Sequence, residues 1–291
     1  MNLSHISLGH FDLYSIETGR FRLDGGAMFG VVPKTLWSRA IDVDDKNRIP
    51  MAMRCLLIKS NKSGRTYLID NGSGTKFNDK FEDIYQLDHE HSNLLSSLSH
   101  HGFDPEDITD VIFSHLHFDH CGGTTYYDED NNLQHQFPNA TYHVTERHLE
   151  TAQNPNAREK ASFLPDNIEP IANWDKLNTV DEYHTYEKGL DALPVNGHTI
   201  SQQLPRITAD DKTIVFMADL VPTHIHLPLP WVMGYDMYPV KTLNEKQQYL
   251  DQAVENDWFL FLEHDAEEEV ITASKENGKY VVDERLRLND I

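Results

Sequence analysis

Apolar and polar residues alternate over short runs along most of the chain and shift to a helical period in only a few places. FDLYSIE at 11–17 alternates and predicts a strand. DGGAMFGVVPKTLWS at 24–38 breaks the pattern. Its glycines, Pro33 and aromatics predict a long ordered loop, so about 18–50 is expected to form an N-terminal loop extension on a single domain spanning 1–291. MRCLLIKS and TYLIDNG predict a hairpin turning at Asn61–Gly64. Around Leu87, Leu94, Leu95 and Leu98 the period becomes that of a helix, and DPEDITD predicts a helical turn with Asp104 as cap and Pro105 at its first position.

VIF at 111–113 reads as a short buried strand, followed by a strand at ATYHV and a helix starting near Glu146. Residues 153–180 are rich in Pro, Asn and Asp and predict a long connection. Strands resume at EYHTY, LDALPV and KTIVFMAD, and again at WFLFLEH. Between the last two, Thr242 and Glu245 suggest a capping box for a helix burying Leu243, Leu250, Ala253 and Val254. EVITAS and KYVVDE close the chain as a hairpin around Glu276–Gly278. His115, Asp219 and His264 all follow apolar strands. Strand ends carry functional loops in layered proteins, so distant residues can meet on one rim.

Composition narrows the classes. With 291 residues, 39% of them apolar, the chain can bury a sizeable core. A net charge of -22 repels a phosphate backbone and argues against nucleic-acid binding. No segment has the length and apolarity of a membrane span, and the N-terminus lacks the basic and apolar regions of a secretory leader, so a cytoplasmic protein is expected. Cys55 and Cys121 are too few for a disulfide framework.

Seventeen histidines prove nothing by number, but SHLHFDHCGG gathers three of them with an aspartate. His115 and His117, two apart in a turn after a strand, can reach one metal ion. Asp119 and His120 can point towards a second. His224 and His226 repeat the H-x-H spacing without a following D-H, amid three prolines. They read as pocket-wall or surface residues, with Phe29, Trp37 and Trp231 as candidates to line an apolar pocket. Cys121 reads as a small buried hydrophobe rather than a ligand.

HLHFDH, then GH at 197–198, AD at 218–219 and EH at 263–264, in that order, resemble the metallo-β-lactamase superfamily over about 50–265. The resemblance implies an α+β fold, a four-layer αβ/βα sandwich with two mixed sheets flanked by helices. It also implies a ligand set: His115, His117 and His198 on one metal, Asp119, His120 and His264 on the other, and Asp219 bridging. Two divalent ions are implied, zinc first, with iron, manganese or cobalt also suited to such ligands. The implied reaction is attack by a bridging hydroxide on a small-molecule ester, with Asp119 and Asp219 as the catalytic carboxylates and Asp70 supporting a ligand imidazole.

DGGAMFGVVPKTLW and ADLVPTHIHLPLPW look closest to the lactonase and methyl parathion hydrolase-like branch. Two positions depart from the lactonase pattern: Pro222 stands where lactonases commonly carry tyrosine, and GHTIS replaces GHTPG. A lactone or a carboxylic or phosphoric ester is the expected substrate. Alternatives within the fold are a single-iron sulfur dioxygenase and a phosphodiesterase or nuclease. The oligomeric state is left open; an isologous homodimer is the common form for soluble enzymes.

Overall fold

The computed structural model describes residues 4–291. Two seven-stranded sheets carry the fold. The first runs in spatial order His5–Leu8, Phe11–Asp24, Arg48–Ser60, Thr66–Ile69, Asp110–Ile112, Thr141–Thr145 and Leu177–Val180. Its first four strands pair antiparallel and the rest parallel. The second runs His184–Glu187, Leu190–Val195, Gln202–Ala209, Lys212–Phe216, Phe259–Phe261, Val270–Glu276 and Lys279–Leu286, with one parallel pair, Lys212–Phe216 beside Phe259–Phe261. Both sheets are therefore mixed.

Strand alternation builds the layers. Leu56, Ile58, Tyr67, Ile69 and Ile112 face the second sheet and pack with Leu204, Ile214 and Phe261. Their neighbours Cys55, Leu57, Leu68 and Val111 face outward onto Leu98, Leu149 and Ile168. These last belong to the helices Leu94–His100, Glu146–Gln153 and Pro165–Ala172. A period of two thus divides one strand's side chains between two cores. The expected α+β sandwich of two mixed sheets with outer helices is the observed fold. No helix among the described residues is long and apolar enough to cross a membrane.

The structure departs from the sequence-based expectations in four places. Residues 24–38 are not a loop. Phe11–Asp24 pairs with Arg48–Ser60 out to Asp24↔Arg48, and the tip carries the short helices Gly25–Phe29 and Lys34–Trp37. Asp24 caps the first through the Ala27 N–H at 2.8 Å. Gly25 is there for packing: a Cβ on it would lie 2.4 Å from the Trp37 ring. Residues 153–180 likewise hold the helix Pro165–Ala172, with proline at its first position, and the strand Leu177–Val180. The strand Gln202–Ala209 went unread because Pro205 interrupts its pattern.

The capping box is also absent. The helix starts at Pro239, and it buries Thr242, Lys246, Tyr249, Leu250 and Ala253, with Leu243 and Val254 only half-buried. Glu245 instead accepts the backbone N–H groups of Asn196 and Gly197, which fastens the loop leading to His198.

Acid should weaken this fold through buried neutral histidines. Burial pushes His226 down to about 3, although its bond to the Met28 carbonyl opposes the shift. An unfolded histidine titrates near 6.5, so His226 binds a proton in the unfolded chain before it does in the folded one. Its contribution is full above pH ~6.5 and is lost as pH falls towards 3, costing about 2 kcal/mol by pH ~5. Urea midpoints at pH 7 and pH 5 should show the loss, and His226→Gln should reduce it.

Candidate metal centre

The strand Asp110–Ile112 ends beside the first sheet's neighbours and delivers His115 and His117 into a turn. The single-turn helix Phe118–Cys121 then aims Asp119 and His120. Close backbone approach holds the turn: Cβ atoms on Gly122 and Gly123 would lie 2.0 Å from Ser73 O and 2.3 Å from Asn71 O. From the second sheet come His198, after Leu190–Val195, Asp219, after Lys212–Phe216, and His264, after Phe259–Phe261. Ala218 takes a left-handed φ of 40° to turn the chain at Asp219, local strain of the kind functional sites retain.

All seven residues meet, buried, in two sets: His115, His117, His198 and Asp219, and Asp119, His120 and His264. Asp219 faces both. Its Oδ2 lies 3.0 Å from His198 Nε2 and 3.9 Å from His115 Nε2. Its Oδ1 lies 3.1 Å from His264 Nε2 and 3.7 Å from His120 Nε2. Asp119 reaches only the second set, at 3.7 Å from His264 and 3.9 Å from His120.

The outward nitrogens fix what the inward ones can be. His264 Nδ1 donates to Ala52 O at 2.9 Å and His198 Nδ1 to Asp236 Oδ1 at 3.0 Å. His120 Nδ1 donates to Asp70 Oδ2 at 3.0 Å, and the Glu263 carboxylate lies 3.1 Å from the same nitrogen without being aligned as an acceptor. Ser114 Oγ donates to Asp70 and so accepts from His115 Nδ1 at 3.0 Å. His117 Nε2 faces Glu159 Oε1 at 3.4 Å. Each neutral ring therefore turns a lone pair inward. These lone pairs crowd: His264 Nε2 and His120 Nε2 are 3.1 Å apart, and His117 Nδ1 is 3.1 Å from both His115 Nε2 and His198 Nε2. Acceptors so close need cations among them.

The electrostatics agree. Burial opposes charge on these rings, yet the Asp219 carboxylate raises His198 to about 10 and His264 to about 9. Asp219 is also buried, and His198, His264 and His120 hold its carboxyl well below the usual range. Among the described residues, no hydrogen-bond donor is aligned on Asp219 Oδ1. Positive charge is demanded at the centre, and divalent cations bound there would displace the protons that otherwise supply it. The donor set, five imidazoles and two carboxylates, suits such ions.

A cavity of about 200 Å³ opens on His117, Asp119, Asp219 and His264, walled by Leu23, Met28, Met51, Phe118 and Met233. Phe29, Trp37 and Trp231 do not line it. They share a core cluster with Met28, in which Phe29 stacks on Trp37 and on His226, the latter at 4.7 Å, and meets Trp231 edge-on. His224 pairs with Asp265 at 2.5 Å. Both residues of this second H-x-H thus have partners away from the centre. Cys121 is buried, its thiol pushed up to about 12 by that burial and turned towards Leu116 O.

Asp70 stands where expected, accepting from Ser114 and His120. Asp236, Glu159, Glu263 and His148 were not read from sequence. His148 accepts the Leu116 N–H at 2.8 Å and donates to Ile200 O at 2.7 Å, bracing the H-x-H turn against the His198 loop.

The metallo-beta-lactamase superfamily model matches residues 54–264. The N-acyl homoserine lactonase AttM of Rhizobium radiobacter is 29% identical over 170 residues, 56% of this chain and 60% of that protein, so the chain spans less than two thirds of this relative. Among solved structures, a probable metal-dependent hydrolase from Staphylococcus aureus superposes with a TM-score of 0.85 at 27% identity, covering 97% of this chain and 100% of that one. AidC, a dizinc quorum-quenching lactonase solved with the product N-hexnoyl-L-homoserine, superposes with a TM-score of 0.78 at 20% identity over 98% of each chain, a likeness of fold.

Proposed function

The chain belongs to the metallo-β-lactamase superfamily, and from that premise we propose a dinuclear metal-dependent hydrolase of small-molecule esters, lactones first among them. The observation that carries this reading is the two-sided carboxylate of Asp219, whose oxygens face separate histidine sets. A centre for one ion would need only one of them. That the similar proteins include N-acyl homoserine lactonases supports the substrate class.

His115, His117, His198 and Asp219 would hold one divalent cation, and Asp119, His120, His264 and Asp219 the other, zinc being the first candidate. When bound, such ions acidify water towards neutral pH and stabilise the developing oxyanion. The protein supplies the rest. Asp236, Ser114, Glu159, Asp70 and the Ala52 carbonyl fix the ring tautomers, so no imidazole reorients during turnover. Asp119 is oriented by the second set alone and lines the cavity, which places it to take the proton of the attacking water and return it to the leaving oxygen. The methionine and leucine wall excludes bulk water from the reacting bond.

Metal analysis of the purified protein, with a panel of lactones, phosphotriesters, thioesters, β-lactams and phosphodiesters, tests the proposal. About two divalent ions per chain and preferential lactone or ester turnover are expected. A single iron with oxygen consumption would overturn it.

A further inference from the structure

We propose that Arg158 is a specificity-determining residue that selects substrates bearing a carboxylate beyond the scissile bond; the inference rests on the hydrolase reading and names the substrate class of that site. Among the described residues, Arg158 is the one lysine or arginine lining the cavity. It stands exposed on the loop before the turn Lys160–Ser162, next to Glu159. Its Nη2 donates to the carbonyls of Gly234 and Asp236, the latter at 3.3 Å, on the opposite wall. That anchor is firm. The Gly234 N–H donates to Ala27 O at 2.7 Å, and a Cβ on Gly234 would lie 3.0 Å from the same oxygen. A guanidinium has five N–H donors in a fixed fork. Those on Nε and Nη1 find no acceptor among the described residues, and no carboxylate pairs with the group.

The surrounding acids do not neutralise it. Glu159 is buried and taken up by Thr199, His117 and Asn156. Asp119 and Asp219 face the histidines. In a chain of net charge -22, one unpaired guanidinium held across a cavity is a local attraction for an anion that the rest of the surface repels. Its open N–H groups match a carboxylate, with which a planar fork forms two parallel bonds. The same cavity carries an apolar surface of Leu23, Met28, Met51, Phe118 and Met233, alongside Tyr85, Tyr235 and Ser162. The occupant this combination fits is an ester or lactone with a hydrocarbon segment ending in a carboxylate.

A matched pair tests the idea: 4-nitrophenyl hydrogen adipate and 4-nitrophenyl hexanoate, which differ only in the terminal carboxylate. The ratio of their kcat/KM values is the readout, because Arg158 also anchors a wall and its loss can affect both esters. The wild-type ratio should favour the adipate ester about tenfold, fall to about one or below in Arg158→Met, and recover in part in Arg158→Lys. Rising salt should lower the wild-type ratio. A ratio unchanged by Arg158→Met would overturn the assignment. Calorimetry with adipate and hexanoate separates this from the hydrolase reading. If neither ester is turned over, that reading alone fails. Preferential adipate binding lost in Arg158→Met still supports the arginine's role, and equal binding of the two acids to wild type refutes it.

Discussion

Asp219→Ala should keep the fold, hold about one divalent cation or fewer per chain, and lose hydrolysis by at least about 10³-fold. Both oxygens of this carboxylate are engaged, one towards His198 and His115, the other towards His264 and His120. Removing it takes a carboxylate oxygen from both sets at once, whereas loss of any histidine removes a donor from one. The side chain lies at the rim of the core, so truncation leaves the strands Lys212–Phe216 and Phe259–Phe261 paired. Metal-free protein gives a second readout. There Asp219 raises His198 to about 10 and His264 to about 9 against burial. Folded values above the unfolded ~6.5 mean stability that is full below that pH and lost as pH rises through 9 to 10. The variant, stripped of metal, should therefore show a flatter alkaline decline in urea midpoint than stripped wild type. Retention of two ions and activity would show that Asp219 does not join the two sets.

How much of this was legible in the sequence depends on how local each contact is. HLHFDH is readable because one strand end and one helical turn place all four polar residues without help from elsewhere. Asp219 and His264 are marked in the sequence by their place after apolar strands, but their assignment as ligands, with His198, rests on the ordered family pattern, since spacing alone cannot choose among seventeen histidines. The groups that pin the rings left no mark. Asp236 meets His198 across 38 residues, and Glu159 meets His117 across 42, through loops whose paths follow from packing. Glu263 lay in plain view before His264, yet an acid ending an apolar strand does not announce that it will face His120 from the next sheet. Thr242 and Glu245 had the spacing of a cap, but Gly197 lets its loop approach Thr242 closely, with room for no Cβ, and Glu245 bonds that loop instead. Glycines misled at 24–38 for a related reason: Gly25 there admits the Trp37 ring rather than ending an element.

The acid behind His120 is expected to produce the other large effect. Asp70 is wholly buried at a left-handed φ of 55°, and it accepts the Ser114 N–H at 2.7 Å, the Ser114 hydroxyl at 2.5 Å and His120 Nδ1 at 3.0 Å. Asp70→Ala leaves the buried Ser114 N–H and hydroxyl without their acceptor, leaves His120 Nδ1 with only the Glu263 carboxylate nearby, and puts alanine in a conformation that favours Asn, Asp or Gly. A loss of about 3–5 kcal/mol follows, read as a fall in urea midpoint. Asp70→Asn separates structure from metal binding. Asparagine tolerates the same φ and can still accept the Ser114 N–H, so the fold should be largely kept. Its amide can turn an N–H towards His120 Nδ1, favouring the tautomer that carries its proton on Nε2, the atom facing His264 and Asp119. A protonated Nε2 cannot bind metal. Glu263 Oε2, 3.1 Å from the same Nδ1, competes to keep the working tautomer. Asp70→Asn should therefore weaken one of two cations by about 10–100-fold in chelator competition. Adding Glu263→Gln, which removes the remaining carboxylate beside Nδ1, should weaken it further; equal affinity in the single and double variants would show that His120 is oriented by something else.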